Sequence, residues 1–391
     1  MGIELHQYVV LITDNALKEI GQPITNWTAI EVERNFNEPD FGSVTVPADP
    51  ALMAVLSWPG RRAVVLRDGA YYSGGPIERP AEPFDWTADA DGADGVGEVT
   101  FTFASDDMRV YAHITLPNPA LLPEDPAQPE RWSATNTGER IILSLVNANC
   151  IAATGAVAYR KVPALVLGPE SAPGGAGASI TYSTRYEQMG DAVRRAALLS
   201  GGLGVRTVQT RTTVEFRVFQ PVDRTAECRY SRSVGNLRGI HLESCAPSVT
   251  DAIVGGGGEG ADRILVRRAN TSARAAHGLY ETFVDQRDTS DLTELNQSGD
   301  EAVAEGAETA KLTVVVVTSP GQPTPDVGDL VTVELWPGEE LAQVVRSDHL
   351  EVDADGELLT LLVGSEDASP DPDWVREVRR ITRSIGRKET T

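Results

Sequence analysis

Cysteine is scarce in this 391-residue chain, which carries only Cys150, Cys228 and Cys245. An odd, widely spaced trio makes no disulfide framework, and no two cysteines stand at the close spacing of a zinc site. Buried free thiols are the expectation, compatible with synthesis in a reducing compartment. Histidine is nearly as rare: His6, His113, His241, His277 and His349. None falls in an H-E-x-x-H pattern or beside a cysteine ligand. No G-x-S-x-G elbow occurs, and no glycine-rich run ends in Gly-Lys-Ser or Gly-Lys-Thr. Apolar runs stay well short of the roughly 20 residues that a membrane-spanning helix needs. The start, "MGIELHQYVVLITDNAL", has no basic region and no small-residue cleavage site, so no secretory signal is expected. Positive charge is short as well. With 34 Lys and Arg against 57 Asp and Glu, the formal charge is −23, which disfavours a nucleic-acid binder. The plain reading of such acidity is solubility; a sharper one is a wall past which DNA slides without sticking.

What the chain does have is punctuation. Its 36 glycines and 24 prolines interrupt a 41% hydrophobic sequence at short intervals, the mark of a turn-rich β-protein. The length points to two to four domains. In "AVVLRDGAYYSGGPI" an apolar run meets an Asp68-Gly69 turn and a second short strand, a hairpin signal. "EVTFTFA" alternates Val99, Phe101 and Phe103 with polar neighbours, as a half-buried strand does. "GVRTVQTRTTVEFRVFQP" predicts another hairpin, with Val214, Phe216 and Val218 on one face. Strands are also expected at "KLTVVVV" and "DLVTVELWPG".

Helices are fewer. Ile141, Ile142, Leu145, Val146 and Asn149 recur at helical spacing behind Thr135 or Thr137 as possible caps. A second helix is predicted over "STRYEQMGDAVRRAALLSGGLG", capped by Ser183, with Tyr186, Met189, Val193 and Ala197 on one face and Gly201-Gly202 as its stop. "HGLYETFVDQRDTSDLTELNQSGDEAVAEGAE" reads as helical in part, and "DPDWVREVRRITRSIGRKETT" as a short basic helix with Trp374, Val378 and Ile381 aligned. Loops are expected at 80–97, across the proline-rich stretch 117–130 and at "GPESAPGGAGAS". "SWPGRRAVVLRDG" and "ELWPGEELAQVVRSD" both set Trp-Pro-Gly before an apolar strand, an echo compatible with either a duplicated β-domain or chance.

Sites for chemistry are thin. "VGGGGEGADRI" has no lysine to complete a phosphate loop and runs into a strand-like segment, so a mobile crossing between domains is expected. "DADGADG" (Asp89, Asp91, Asp94) and "EVDADGE" (Asp353, Asp355) resemble calcium-loop fragments without the full ligand order, and read as solvated acidic loops. No catalytic, cofactor-binding or metal residue is assigned, and no cofactor is expected.

The order of segments resembles the tail-hub proteins (baseplate hub or minor tail proteins) of long-tailed actinobacterial siphophages, related to the contractile-phage baseplate hub. The matching residues are Asn37, Glu38, Pro39, Gly42, Pro47 and Asp49, then Arg67, Gly69, Ser73, Gly74 and Pro76. "STRYEQMGDAVRRAALLSGGLGVRTV", "VGNLRGIHLESCAPSVTDAIVGGGGEGADR", "YETFVDQRDTSDLTELNQSGDEAV" and "PDVGDLVTVEL" extend the resemblance over about residues 8–365. It implies an α+β, β-dominated fold with two tube-like antiparallel β-barrel domains and two smaller inserted α/β domains, assembled as a trimeric ring. The implied division is 1–115 for the first barrel, 116–203 for an insert with two helices, and 204–255 with 310–366 for the second barrel. Residues 256–309 and 367–391 would form a helical periphery and C-terminal helix. Gly42 would supply a positive-φ position in the turn after Asn37.

The implied function is a structural tail-tip hub, a homotrimeric pseudo-sixfold ring in the virion, made in the host bacterial cytoplasm. Its implied partners are the distal tail or tail tube protein, the tape measure C-terminus and other tail-tip or receptor-binding proteins, with DNA only in passage. Arg376, Arg379, Arg380 and Arg383 could pack on an acidic neighbour. Two other readings stay open: a cell-wall glycan hydrolase or peptidase using a carboxylate pair, and a carbohydrate-binding module using Trp86 or Trp132.

Overall fold

A computed structural model describes residues 6–78, 97–287, 289–307, 309–317 and 323–364. The loop 80–97 (but for Gly97), Trp86, Asp89, Asp91, Asp94 and the basic C-terminal helix lie outside the described residues. Strands predominate over helices, as the β-dominated α+β expectation requires. The first half holds β1 (Tyr8–Thr13), β2 (Ala29–Asn35), β3 (Phe41–Pro47), α1 (Pro50–Leu56), β4 (Arg62–Arg67) and β5 (Ala70–Glu78). It continues with β6 (Glu98–Ala104), α2 (Asp107–Tyr111), β7 (Trp132–Thr137), α3 (Gly138–Val146), β8 (Leu165–Leu167) and β9 (Ser179–Thr184). Then come α4 (Met189–Leu199), β10 (Gly204–Gln209), β11 (Val214–Phe219), β12 (Arg229–Ser231), β13 (Leu237–Cys245) and β14 (Asp251–Gly255). The rest is β15 (Leu265–Ala269), α5 (Thr271–His277), β16 (Glu281–Asp285), α6 (Leu292–Glu305), β17 (Thr309–Val317), β18 (Leu330–Trp336), β19 (Glu339–Asp353) and β20 (Gly356–Gly364).

The chain divides into two compact units. The first takes the described residues of 1–229, 317–332 and 344–362, and the second those of 230–316, 333–343 and 363–391. In the first unit an antiparallel sheet runs in the order β1-β4-β5-β6-β3-β2-β19-β20. Alternation drives it: Val10, Ile12, Ile30, Val32, Val44, Val46, Val99, Phe101 and Phe103 are all buried, each two residues from the next on its strand. The β4–β5 hairpin turns on Asp68 and Gly69, both at positive φ, as the sequence predicts. Among the described residues this sheet does not close into a barrel. The outer edge of β1 is not bare either. Val10 exchanges backbone hydrogen bonds with Ile24, and Ile20 N donates to Ile12 O. That cover blunts an edge which would otherwise template association.

Gly42 departs from expectation. It is a strand residue inside β3, paired with Val32 and Phe103, and its φ is not positive. The left-handed residue of this segment is Asn37, at φ 61°. Glycine is needed at position 42 for room, because a Cβ there would stand 2.3 Å from Phe103 Cζ.

A second core in the same unit joins α3, α4 and the three-stranded sheet β10-β11-β8. Ile141, Ile142, Leu145, Val146, Met189, Val193, Ala197, Val214, Phe216 and Val218 share it, as predicted, but Tyr186, expected on the same face as Met189, lies before the helix at φ 50° and is exposed. Helix α4 starts at Met189, later than predicted, because Ser183 and Thr184 are spent in β9 on pairing with Ser133 and Trp132 of β7. The "GPESAPGGAGAS" segment is tied down. The fully buried Glu139 accepts from Ser171 N at 2.6 Å, Ser171 Oγ at 2.9 Å and Ala176 N at 2.5 Å. In the proline-rich 117–130 no helix or strand forms; Gln128 Nε2 instead donates to Asn118 O and Leu122 O.

In the second unit β13 pairs antiparallel with β17. Separately, β14 lies between antiparallel β15 and parallel β16, and α6 packs across the trio. The glycine run is the β14–β15 connection within this sheet, not a crossing between domains. Gly256 N donates to Ile264 O, and a Cβ at Gly256 would stand 2.6 Å from Leu295 Cδ1 on α6. Cys150 and Cys228 are buried thiols as expected, whereas Cys245 is exposed.

Candidate functional site

The segment Asn35–Gly42 is built as a clamp. With Asn37 in the left-handed region, a backbone that asparagine tolerates better than most residues, its side chain faces the start of β10. Asn37 Nδ2 donates to Leu203 O at 3.0 Å, and Val205 N donates to Asn37 Oδ1 at 2.8 Å. Tyr111 Oη donates to Asn37 O at 3.2 Å. Glu38 pairs with Arg194 of α4 at 2.6 Å. Asp40 turns the other way: its Oδ1 accepts from Asn35 N at 3.1 Å and its Oδ2 from Ser73 Oγ at 3.1 Å. Asp40 N donates to Ser105 Oγ. Ser73–Pro76 forms no turn but lies inside β5, paired with β4, and the Asn37–Gly42 segment is bonded directly to it.

Beside this clamp the first unit holds a cavity of about 490 Å³. Arg34, Asp40, Tyr71, Asp107, Arg206 and Phe219 are among its lining residues. Its guanidiniums are engaged. Arg34 bonds Asp348 and lies 3.2 Å from Asp326, and Arg206 reaches Asp326 at 2.7 Å and stacks over Phe219. Two carboxylates are not so matched. Asp107 is 3% exposed; its Oδ2 accepts from Ser105 Oγ at 3.0 Å and Thr207 Oγ1 at 3.0 Å, and its Oδ1 has no hydrogen-bond partner. Burial pushes the Asp107 carboxyl up to about 6, against those hydrogen bonds. Burial, reinforced by the Asp107 charge, pushes Asp40 up to about 7. Chemically, the pair keeps protons at a pH where ordinary aspartates have lost them. Sequence reasoning missed it because Asp40 and Asp107 come from distant segments. The available signal was an Asp106-Asp107 pair set directly after a buried strand.

Asp106 has a different partner. Arg62 Nη1 donates to Asp106 Oδ1 at 2.8 Å, and Arg62 Nη2 to Gln209 Oε1 at 2.8 Å, with Arg62 and Asp106 both essentially solvent-free. His349 meets two carboxylates on the sheet surface. Its Nε2 lies 3.1 Å from both Glu31 Oε1 and Glu351 Oε1, because β2 and β19 set Glu31 opposite Glu351. This exposed trio is a surface feature of the sheet. His113 sits between two carbonyls, Arg109 O and Arg160 O, each 2.8 Å from a ring nitrogen. Asp353 and Asp355 form a tight turn, Asp355 N donating to Asp353 Oδ1 at 2.8 Å. Trp132 packs against the α3–α4 core and is only partly buried there. No helix among the described residues is long and apolar enough to cross a membrane.

The fold has known counterparts. The tail protein from Neisseria meningitidis MC58 superposes with a TM-score of 0.50 at 14% identity, over 92% of this chain and 97% of that one. The prophage MuSo2 43 kDa tail protein from Shewanella oneidensis gives 0.49 at 10% identity, over 91% and 97%. Among curated proteins no sequence matches. The Siphovirus ReqiPepy6 Gp37-like protein family matches residues 9–365, nearly the span over which the tail-hub resemblance runs. With its β-dominated sheets and this match over most of its length, the chain belongs to the Siphovirus ReqiPepy6 Gp37-like protein family.

Proposed function

We propose that this tail protein is the structural hub at the tail tip of a long-tailed phage. Three copies form a ring in which each contributes two tube-like β-domains, giving pseudo-sixfold symmetry. The ring joins the tail tube or distal tail protein to the tip and surrounds the channel for the tape measure C-terminus and DNA. The observation that carries this reading is the likeness in fold to the tail protein from Neisseria meningitidis MC58 over nearly the whole of both chains. The open sheet of the first unit supports it, since a sheet that does not close on itself leaves closure to neighbouring copies. Closure does not use the outer edge of β1, which Ile20 and Ile24 already occupy. A net charge of −23 suits a channel wall, because carboxylates facing the lumen repel phosphate and shorten DNA's contacts with it. In this reading the protein is not an enzyme, and it resides in the virion tail.

Native mass measurement of the purified chain at micromolar concentration tests the ring. A mass of three chains is expected, with a central opening by electron microscopy. A single chain at every concentration overturns the ring, and peptidoglycan turnover by the purified protein overturns the purely structural reading.

A further inference from the structure

We propose that Glu31, His349 and Glu351 are the ligands of one divalent transition-metal ion, with Zn²⁺ the best fit, on the solvent-facing side of the first unit's sheet. Strand register brings them together. Glu31 of β2 and Glu351 of β19 stand directly opposite each other, and His349 lies two residues along β19 on the same face. The donor atoms of the three lie within 4.8 Å of one another. His349 Nε2 is 3.1 Å from Glu31 Oε1 and 3.1 Å from Glu351 Oε1. Zinc bonds of about 2.0–2.1 Å in a tetrahedron set neighbouring ligand atoms about 3.3–3.4 Å apart, so outward shifts of roughly 0.2–0.3 Å admit the ion. Both glutamates can make that shift, because their side chains are 56% and 54% exposed, and the ion reaches all three groups from solvent. Beneath them Ile30, Val32, Leu350 and Val352 are buried, which fixes the backbone from which the ligands project.

The charges argue independently of the geometry. Like charges directly opposite on a sheet repel, and the ladder supplies no cation to offset them. Ser43 and Phe41 of β3 face Glu31 and Glu33, and Glu33 itself stands opposite His349, a third carboxylate on this face. Among the described residues Glu31 and Glu351 have no ionic partner but His349, whose Nε2 has at most one proton to share between them. A divalent ion neutralises both carboxylates at once, with the neutral imidazole as third ligand. The donor set also selects the ion. Imidazole suits Zn²⁺, Cu²⁺ and Ni²⁺ rather than Mg²⁺, and Ca²⁺ calls for about six to eight oxygens. His349 binds through Nε2 and keeps its proton on Nδ1, while water completes four-coordination. Such an ion ties β2 to β19 and forms its bonds only when their register is made, so it stabilises the folded chain by mass action. The site is complete in one chain and does not depend on the ring.

Titration calorimetry of the full chain with Zn²⁺, after treatment with a chelator, tests the site. We expect saturable binding of one ion per chain and a melting temperature that rises with Zn²⁺ concentration. Co²⁺ should occupy the same place and give the intense visible absorption of four-coordination, which added Zn²⁺ removes. His349→Ala and Glu31→Gln should each weaken Zn²⁺ binding by about tenfold or more and abolish the rise in melting temperature. Without metal, both variants should unfold in urea as cooperatively as the parent. His6→Ala, which removes an exposed histidine beside Asp68, should bind Zn²⁺ as the parent does. Absence of saturable Zn²⁺ binding, full affinity in His349→Ala, or a Mg²⁺ or Ca²⁺ affinity equal to that for Zn²⁺ each overturns the proposal.

Discussion

The Ser73 hydroxyl donates to Asp40 Oδ2 across 3.1 Å, so strand β5 and a turn 33 positions earlier share one carboxylate whose proton affinity is raised by burial. That carboxylate links the architecture of the first unit to pH.

Unfolded aspartate titrates near roughly 3.9, whereas Asp107 and Asp40 are raised to about 6 and about 7 in the folded chain. Between those values the folded state binds more protons than the unfolded state. The contribution of this pair to stability is therefore greatest at low pH and is lost as pH rises through 6 and 7. Asp40→Asn should melt higher than the parent at pH 8, with the difference shrinking towards pH 5. Thermal melts across pH 5 to 8 check this, and a difference that stays constant with pH contradicts the assignment.

Asn37 combines a left-handed backbone with two buried hydrogen bonds to Leu203 and Val205. Asn37→Ala adds strain of about 1–2 kcal/mol and orphans buried backbone groups at about 1–3 kcal/mol. Urea unfolding should show a loss of about 2–5 kcal/mol. Asn37→Gly should lose less, since glycine removes the strain but not the orphaned groups.

Gly42→Ala brings a methyl group onto the Phe103 ring, and overpacking of this kind costs about 1–3 kcal/mol. In a Phe103→Leu background the same change should cost clearly less. Equal costs in the two backgrounds would mean that the close approach to Phe103 is not the reason for glycine.

Arg62 and Asp106 form a pair without solvent. Arg62→Met leaves the buried Asp106 carboxylate only Arg109, at 3.9 Å, and should cost about 3–5 kcal/mol. Arg62→Met with Asp106→Leu should recover part of that loss, measured by the same unfolding series.

Thiol labelling separates the three cysteines. Burial pushes the Cys150 thiol up to about 12 and raises Cys228 as well, and both are shielded from solvent. One equivalent, at Cys245, should react in the native protein and three in urea. Rapid native labelling of Cys150 would contradict the α3 packing.

Much of the local structure was readable in advance. Val99, Phe101 and Phe103 declared a strand by their period, and Asp68-Gly69 declared a hairpin because few residues other than glycine and asparagine or aspartate accept positive φ at neighbouring positions. The α3 face was readable for the same reason. The start of α4 was not, since Ser183 can cap a helix or pair in a strand, and the choice belongs to β7, more than forty residues earlier.

The glycines show the limit most plainly. Sequence pattern marked Gly42 as needing glycine but offered only the turn as a reason, whereas the reason is a phenyl ring delivered by β6. Likewise, composition and pattern by themselves determined a β-rich, acidic, cysteine-poor chain, because periodicity, turn chemistry and charge are properties of short stretches of chain. Only the tertiary structure decided that Asp40 and Asp107 share a cavity, that Asn37 binds the start of β10, and that Arg62 finds Asp106 and Gln209. Those contacts depend on strand order and register, which bring distant residues within hydrogen-bonding reach, and burial then sets their charge and proton affinity.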